Sequence, residues 1–127
     1  MYKIERKGIL IDDVVIKEGE KEVVIHVDIN LDDIVRDFDA TWAEFDKLKQ
    51  RLDNNELISE ILPDYQKTAR KLFTILFGDE AQKIFVFYGD RFMEMVSDFY
   101  PYITSVVIPK ITEAQFETLG RYKAKKK

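Results

Sequence analysis

Two glycine–aspartate pairs, Gly78-Asp79 and Gly89-Asp90, sit inside the stretch Leu72 to Tyr102, which reads LFTILFGDEAQKIFVFYGDRFMEMVSDFYPY. Each glycine closes an apolar periodic run. Glycine just past a helix end, with aspartate ready to cap the next helix, is a stop-and-restart signal. The stretch therefore predicts a helix, a tight corner, one short helix, a second corner and a further helix. Asp79-Glu80-Ala81-Gln82 has the D-x-x-Q spacing of a capping box, with Asp in place of the usual Ser or Thr. The short helix offers Ile84, Phe85 and Tyr88 to a core. Asp90 is placed to cap the next, whose apolar set is Phe92, Met95, Val96 and Phe99.

Upstream, Val14 to Ile16 and Val23 to Val27 are β-branched runs around the polar turn Lys17-Glu18-Gly19-Glu20-Lys21. In the second run Val23, Ile25 and Val27 share one face, and Val24 and His26 the other. Ile4, with Gly8 behind it, offers a further strand. Asn30 to Asp53 reads as one long helix, capped by Asn30, with Asp32 and Asp33 in the first turn where the helix dipole favours negative charge. Its apolar residues Leu31, Val35, Phe38, Trp42, Phe45 and Leu52 fall on a heptad seam, with Lys49 in the skipped slot. That seam fits a core helix or a contact between molecules.

Asp53-Asn54-Asn55 is the next break. Pro63 restarts or kinks a helix carrying Tyr65, Ala69, Leu72, Phe73 and Leu76 on one face. After Pro101, Tyr102 to Ile108 is read as helix up to a stop at Pro109, with an extended segment as the alternative. A final turn capped by Thr112 holds Ala114, Phe116 and Leu119 and ends at Gly120. The elements add up to an α+β chain, mainly α. An N-terminal β-hairpin of two or three short strands (1–29) precedes a bundle of about four to five helices (30–120). All of this is one domain, with a basic disordered tail at 121–127.

A chain of 127 residues is long enough to bury a core of its own. With no cysteine, disulfides and thiolate metal sites are excluded, which suits a cytoplasmic protein. No run approaches the ~18 apolar residues of a membrane span, and MYKIERKG lacks the apolar centre of a signal peptide. The net charge of -4 is uneven. Residues 121–127 hold five positive charges and no acid, leaving roughly -9 on the body. An acidic body argues against wrapping a phosphate backbone, which needs lysine and arginine to neutralise it.

Catalytic constellations are absent from the sequence. A Ser–His pair would need Ser59, Ser97 or Ser105 to meet His26, the single histidine, which reads as a strand packing residue. The five glycines are isolated, and no phosphate-binding loop occurs. Asp12-Asp13 and Asp32-Asp33 diverge in direction and read as solvated acids. No catalytic, cofactor or metal residue is expected, and the chain reads as a non-enzyme. What remains is packing and surface. Aromatics make up 13% of the chain, many on helix faces: Phe38, Trp42, Phe45, Phe73, Phe77, Phe85, Phe92, Phe99 and Tyr100. A domain this small is expected to leave some of them outside, where aromatic clusters mark protein contacts.

Three features together resemble the tail assembly chaperones of long-tailed, non-contractile (siphovirus-type) phages or prophages of Gram-positive hosts. They are a hairpin running straight into a long helix (VVIHVDINLDDIVRDF), an ALFGE-type corner at Ile75-Leu76-Phe77-Gly78-Asp79-Glu80-Ala81, and a second corner, KIFVFYGD, before an apolar helix. In the second corner Val86, Phe87 and Tyr88 intervene where these chaperones have a compact KIFGD. The resemblance implies a protein that self-associates and coats the apolar, helical tape measure protein. It would keep that partner soluble, help recruit tail tube protein, act in the host bacterial cytoplasm and be absent from the finished virion. The Phe38–Trp42–Phe45 stripe and the Phe92–Phe99 face are the expected covering surfaces. A non-catalytic regulatory adaptor binding one protein partner is the alternative.

Overall fold

The computed structural model describes residues 1–4, 8–54 and 56–125. Strands β1 (Leu10–Glu18) and β2 (Lys21–Ile29) pair antiparallel, with Glu18 opposite Lys21 and Leu10 opposite Ile29. Only Gly19 and Glu20 connect them. Gly19 takes φ +61°, as the first central position of a primed two-residue turn requires. The turn is tighter and the strands are longer than the sequence suggested, because the polar residues Lys17, Glu18, Lys21 and Glu22 also join the ladder. Ile25, Val27 and Ile29 point into the molecule with Leu10 and Ile16, while His26 lies on the opposite, exposed face, as the alternation predicted. Among the described residues the sheet has two strands. Met1 to Ile4 have no regular structure, and the rest of the third-strand region, 5–7, lies outside the described residues.

The single helix expected from Asn30 to Asp53 is two. Helix α1 (Leu31–Val35) stops at a turn of Arg36 and Asp37, and α2 (Phe38–Asp53) follows. The break changes which side of α2 faces inwards. Its buried line is Phe38, Thr41, Phe45 and Leu48, rotated from the heptad seam, with Trp42 and Leu52 half-buried beside it. That line packs on α3 (Ile58–Phe77), which carries Pro63 inside it and buries Tyr65, Ala69, Leu72, Phe73 and Leu76.

Gly78 caps α3 and Gly89 caps α4 (Ala81–Tyr88), both with positive φ, so the two corners stand where the sequence put them. Their aspartates do not act as caps. A 3-10 turn (Gly78–Glu80) replaces the Asp79 capping box, leaving Glu80 at the N-cap of α4. Arg91, not Asp90, precedes α5 (Phe92–Tyr102), and its carbonyl accepts the Met95 N–H at 3.1 Å.

The chain then continues as helix. A wide π turn (Ile103–Val107) joins α5 to α6 (Ile108–Lys125), so Pro101 and Pro109 lie within one helical run. The Ile108 N–H bonds the Ile103 carbonyl five residues back, and the Thr104 hydroxyl donates to the Tyr100 carbonyl at 2.9 Å. The widening has a packing reason. Phe99, Ile103, Val107 and Ile111 are all buried at steps of four. In a regular α-helix each such step drifts by about 40°, and the looser π turn keeps them on one side. Helix α6 runs on through Gly120, where the sequence suggested a stop, and residues 126–127 lie outside the described residues.

The helical part is thus three long helical runs (α2, α3 and α5–α6) with two short helices, not a bundle of four to five. Their shared core is aromatic. The Phe73 ring meets Phe77 (5.7 Å), Phe85 (6.5 Å) and Phe99 (5.3 Å), and Phe45 stacks on Tyr65 at 5.3 Å.

Candidate functional site

Helices α2 and α5 diverge on one side of the molecule and leave a cleft of about 270 Å³, lined by Lys49, Leu52, Tyr65, Met93, Val96 and Tyr100 among others. Its lining takes the half-buried flank of α2 (Lys49 and Leu52) together with the buried Tyr65 and Val96 and the half-buried Tyr100. Tyr100, in the cleft wall, stacks on Trp42, which stacks in turn on Phe38, each pair with centroids 6.1 Å apart. The Lys49 ammonium lies 4.9 Å from the Tyr100 ring centre and 3.1 Å from the Asp53 carboxylate. The Asp53 hydrogen bond raises the Lys49 pKa, so the cleft keeps one fixed positive charge beside its aromatic wall. Burial, with help from the Asp53 and Tyr100 charges, pushes the Tyr65 phenol up to about 12. Met93, 45% exposed, stands at the lip.

A second apolar cleft, of about 350 Å³, lies between β2 and α4 and is lined by Lys21, Val23, Gln82, Lys83, Val86 and Phe87 among others. Val86 is exposed there, and the Lys21 ammonium sits 5.2 Å from the Phe87 ring centre. Lys83 is held by Glu80 at 2.7 Å, and that hydrogen bond lowers the Glu80 pKa. The other oxygen of Glu80, Oε1, accepts the His26 backbone N–H at 3.2 Å, tying α4 to the open side of β2.

The residues expected to cover a partner divide sharply. Phe38 (3% exposed), Phe45 (1%), Phe92 (8%) and Phe99 (3%) are inside the core. They hold α2, α3 and α5 together and present no face to another chain. Of the five, Trp42 alone is half-buried, stacked on Tyr100 of the cleft wall. Of the other rings expected on helix faces, Phe73 and Phe77 are also buried, whereas Phe85 and Tyr100, like Trp42, are half-buried. Met93 and Leu52 were not anticipated as site residues. The signal for Leu52 and Lys49 was present in the seam, where a lysine in an apolar slot marks the edge of the buried stripe.

The His26 Nδ1–H donates to the Asp13 carboxylate Oδ1 across the hairpin at 2.7 Å, on the exposed face. Among the described residues no group of three or more His, Asp or Glu is close enough to hold a metal ion. No described helix is long and apolar enough to cross a membrane.

No family model, curated protein or solved structure matches the chain. The geometry therefore speaks alone. A mainly apolar cleft between α2 and α5, with an aromatic wall and the Lys49–Asp53 ion pair at its side, suits the apolar face of a third helix.

Proposed function

We propose that the chain is a tail assembly chaperone of a long, non-contractile phage tail. It binds apolar helical segments of the tape measure protein, associates with further copies of itself and helps bring tail tube subunits to the growing assembly. It works in the host cytoplasm and is absent from the finished virion. It does this by covering surface, not by transforming a substrate.

The observation that supports this reading best is the α2–α5 cleft. A tape measure helix exposes a long apolar stripe. Leu52, Met93, Val96 and Tyr100 offer that stripe a matching floor, and Lys49 offers a partner to acids along its margin. The cation over the Tyr100 ring also keeps the cleft wettable when it stands empty.

Co-expression with the tape measure protein tests the proposal. The two proteins should form a soluble complex that co-purifies. Met93→Glu places a charge on the apolar floor and should reduce recovery of the complex by tenfold or more, on the order of 1.4 kcal/mol or above. Val86→Glu, in the other cleft, should leave recovery unchanged. A tape measure protein that stays insoluble beside the wild-type chain would remove the reading. The reverse pattern in the two variants would move the contact to α4. A gene lying just upstream of a very long tape measure gene is the matching genomic expectation.

A further inference from the structure

The hairpin has one edge that no described element pairs with. Because Glu18 and Lys21 close a two-residue turn, the even-numbered residues of β1 form its ladder hydrogen bonds, and Ile11, Asp13, Val15 and Lys17 turn their N–H and C=O groups outwards. Two bonds agree with this register. The Asp13 N–H goes to the Asp12 side chain at 2.9 Å, and the His26 N–H, on the other edge, goes to Glu80. Along β1 the backbone of residues 14–17 overlooks a cleft of about 240 Å³ whose other wall is Tyr88, Asp98, Phe99 and Tyr102. An open edge above such a shelf is a template for an extended segment.

Helix α5 lies beneath β1, as the Arg91–Glu18 and Tyr102–Asp12 bonds show. A second hairpin carrying its own helices would bring another α5 against this one at strand spacing, about 4.8 Å, where helices need 8–10 Å. The shelf thus admits a bare strand. Residues 1–4 supply one. Tyr2 (90% exposed) and Ile4 (73%) fall on one side of this segment once it pairs as a strand, and Lys3 on the other. Charge agrees: Asp12 and Asp13 on β1 and Asp98 in the cleft wall outnumber Lys17, whereas Lys3, Arg6 and Lys7 outnumber Glu5 in residues 1–7.

The segment does not serve its own edge. The Ile9 N–H donates to the Ile29 carbonyl at 2.7 Å, and a Cβ on Gly8 would run into Asp28 and Ile29. The chain therefore enters β1 from the β2 side, away from the free edge. We infer that residues 1–4 of one copy pair as a third strand with the free edge of β1 in the next copy, resting Tyr2 and Ile4 against Tyr102. Donor and acceptor are different surfaces, so the association is head-to-tail and builds rings or open chains rather than closed dimers. This names the contact for the self-association proposed above and rests on it.

Sedimentation velocity of the full chain over a concentration series is the test. The wild type should form species larger than a dimer. The double variant Tyr2→Glu/Ile4→Glu removes the donor. Val15→Pro blocks the edge at an N–H that the hairpin ladder does not use, and Asp13→Lys weakens the same edge without touching the ladder. Each should sediment as a monomer with the wild-type circular dichroism spectrum. An equal mixture of the donor-dead and Val15→Pro chains should give a heterodimer and nothing larger, since one intact donor meets one intact edge. A monomeric wild type would overturn both this inference and the self-association. Oligomers that persist in the donor-dead or Asp13→Lys chain, or a mixture that stays monomeric, would overturn this contact alone.

Discussion

Phe73 is fully buried and touches three other rings, so truncating it removes contacts from α3, α4 and α5 at once. Phe73→Ala should lower the unfolding free energy by about 3–5 kcal/mol in urea titration, since the helices around it cannot collapse into the space. The buried phenols make a second residue-scale statement. Tyr65, Tyr88 and Tyr102 all have their pKa raised above the ordinary 10.0, mainly by burial, with hydrogen bonds to Asp98 and Asp12 adding to the effect at Tyr88 and Tyr102. The folded chain holds these protons more tightly than the unfolded chain. Their stabilisation is therefore full below pH 10 and is lost as pH rises through the folded values. The urea midpoint should fall above about pH 10, and Tyr88→Phe together with Tyr102→Phe should flatten that fall.

The elements turn on backbone that side chains rarely adopt. Gly78 (φ +57°, ψ -131°) and Gly89 (φ +63°, ψ -120°) occupy a region essentially closed to other residues, although a Cβ at either would enter open space. Gly78→Ala and Gly89→Ala should each cost about 1–3 kcal/mol by thermal or urea unfolding, from backbone strain without any clash. These corners were legible in the sequence for that reason: only one residue type suits them. The buried sets of α3 and α5 were legible too, because their apolar periodicity agrees with their final packing. The turn at Arg36 and Asp37 was not, since both residues are acceptable in a helix and the seam runs through them unbroken. Nor was the passage of helix through Pro101 and Pro109. A proline's local signal says stop, and only the four-residue steps of Phe99, Ile103, Val107 and Ile111 show why the helix widens instead. The candidate site was the least legible part. Rings on a helix stripe look alike whether a neighbouring helix or another protein covers them, and the neighbouring helix covers four of the five.

At the scale of the whole molecule, the acidic body and the five positive charges of residues 121–127 act against each other. Any retention on DNA at moderate salt should vanish when those seven residues are deleted, because the remaining surface repels phosphate. Retention that survives the deletion would mean that the body carries a basic surface of its own. The two apolar clefts and the open edge of β1 are three separate surfaces, so partner binding and self-association need not compete.

Trp42 is the sole indole of the chain, and it stacks on Tyr100 in the wall of the α2–α5 cleft, outside the cleft below β1. The molecule therefore carries its own optical reporter for one of its surfaces. Filling the cleft should shift the emission maximum, whereas linking copies through the hairpin should leave the colour unchanged and only slow the depolarisation. A single cuvette can thus tell a filled cleft from an assembled chain of copies, without a label.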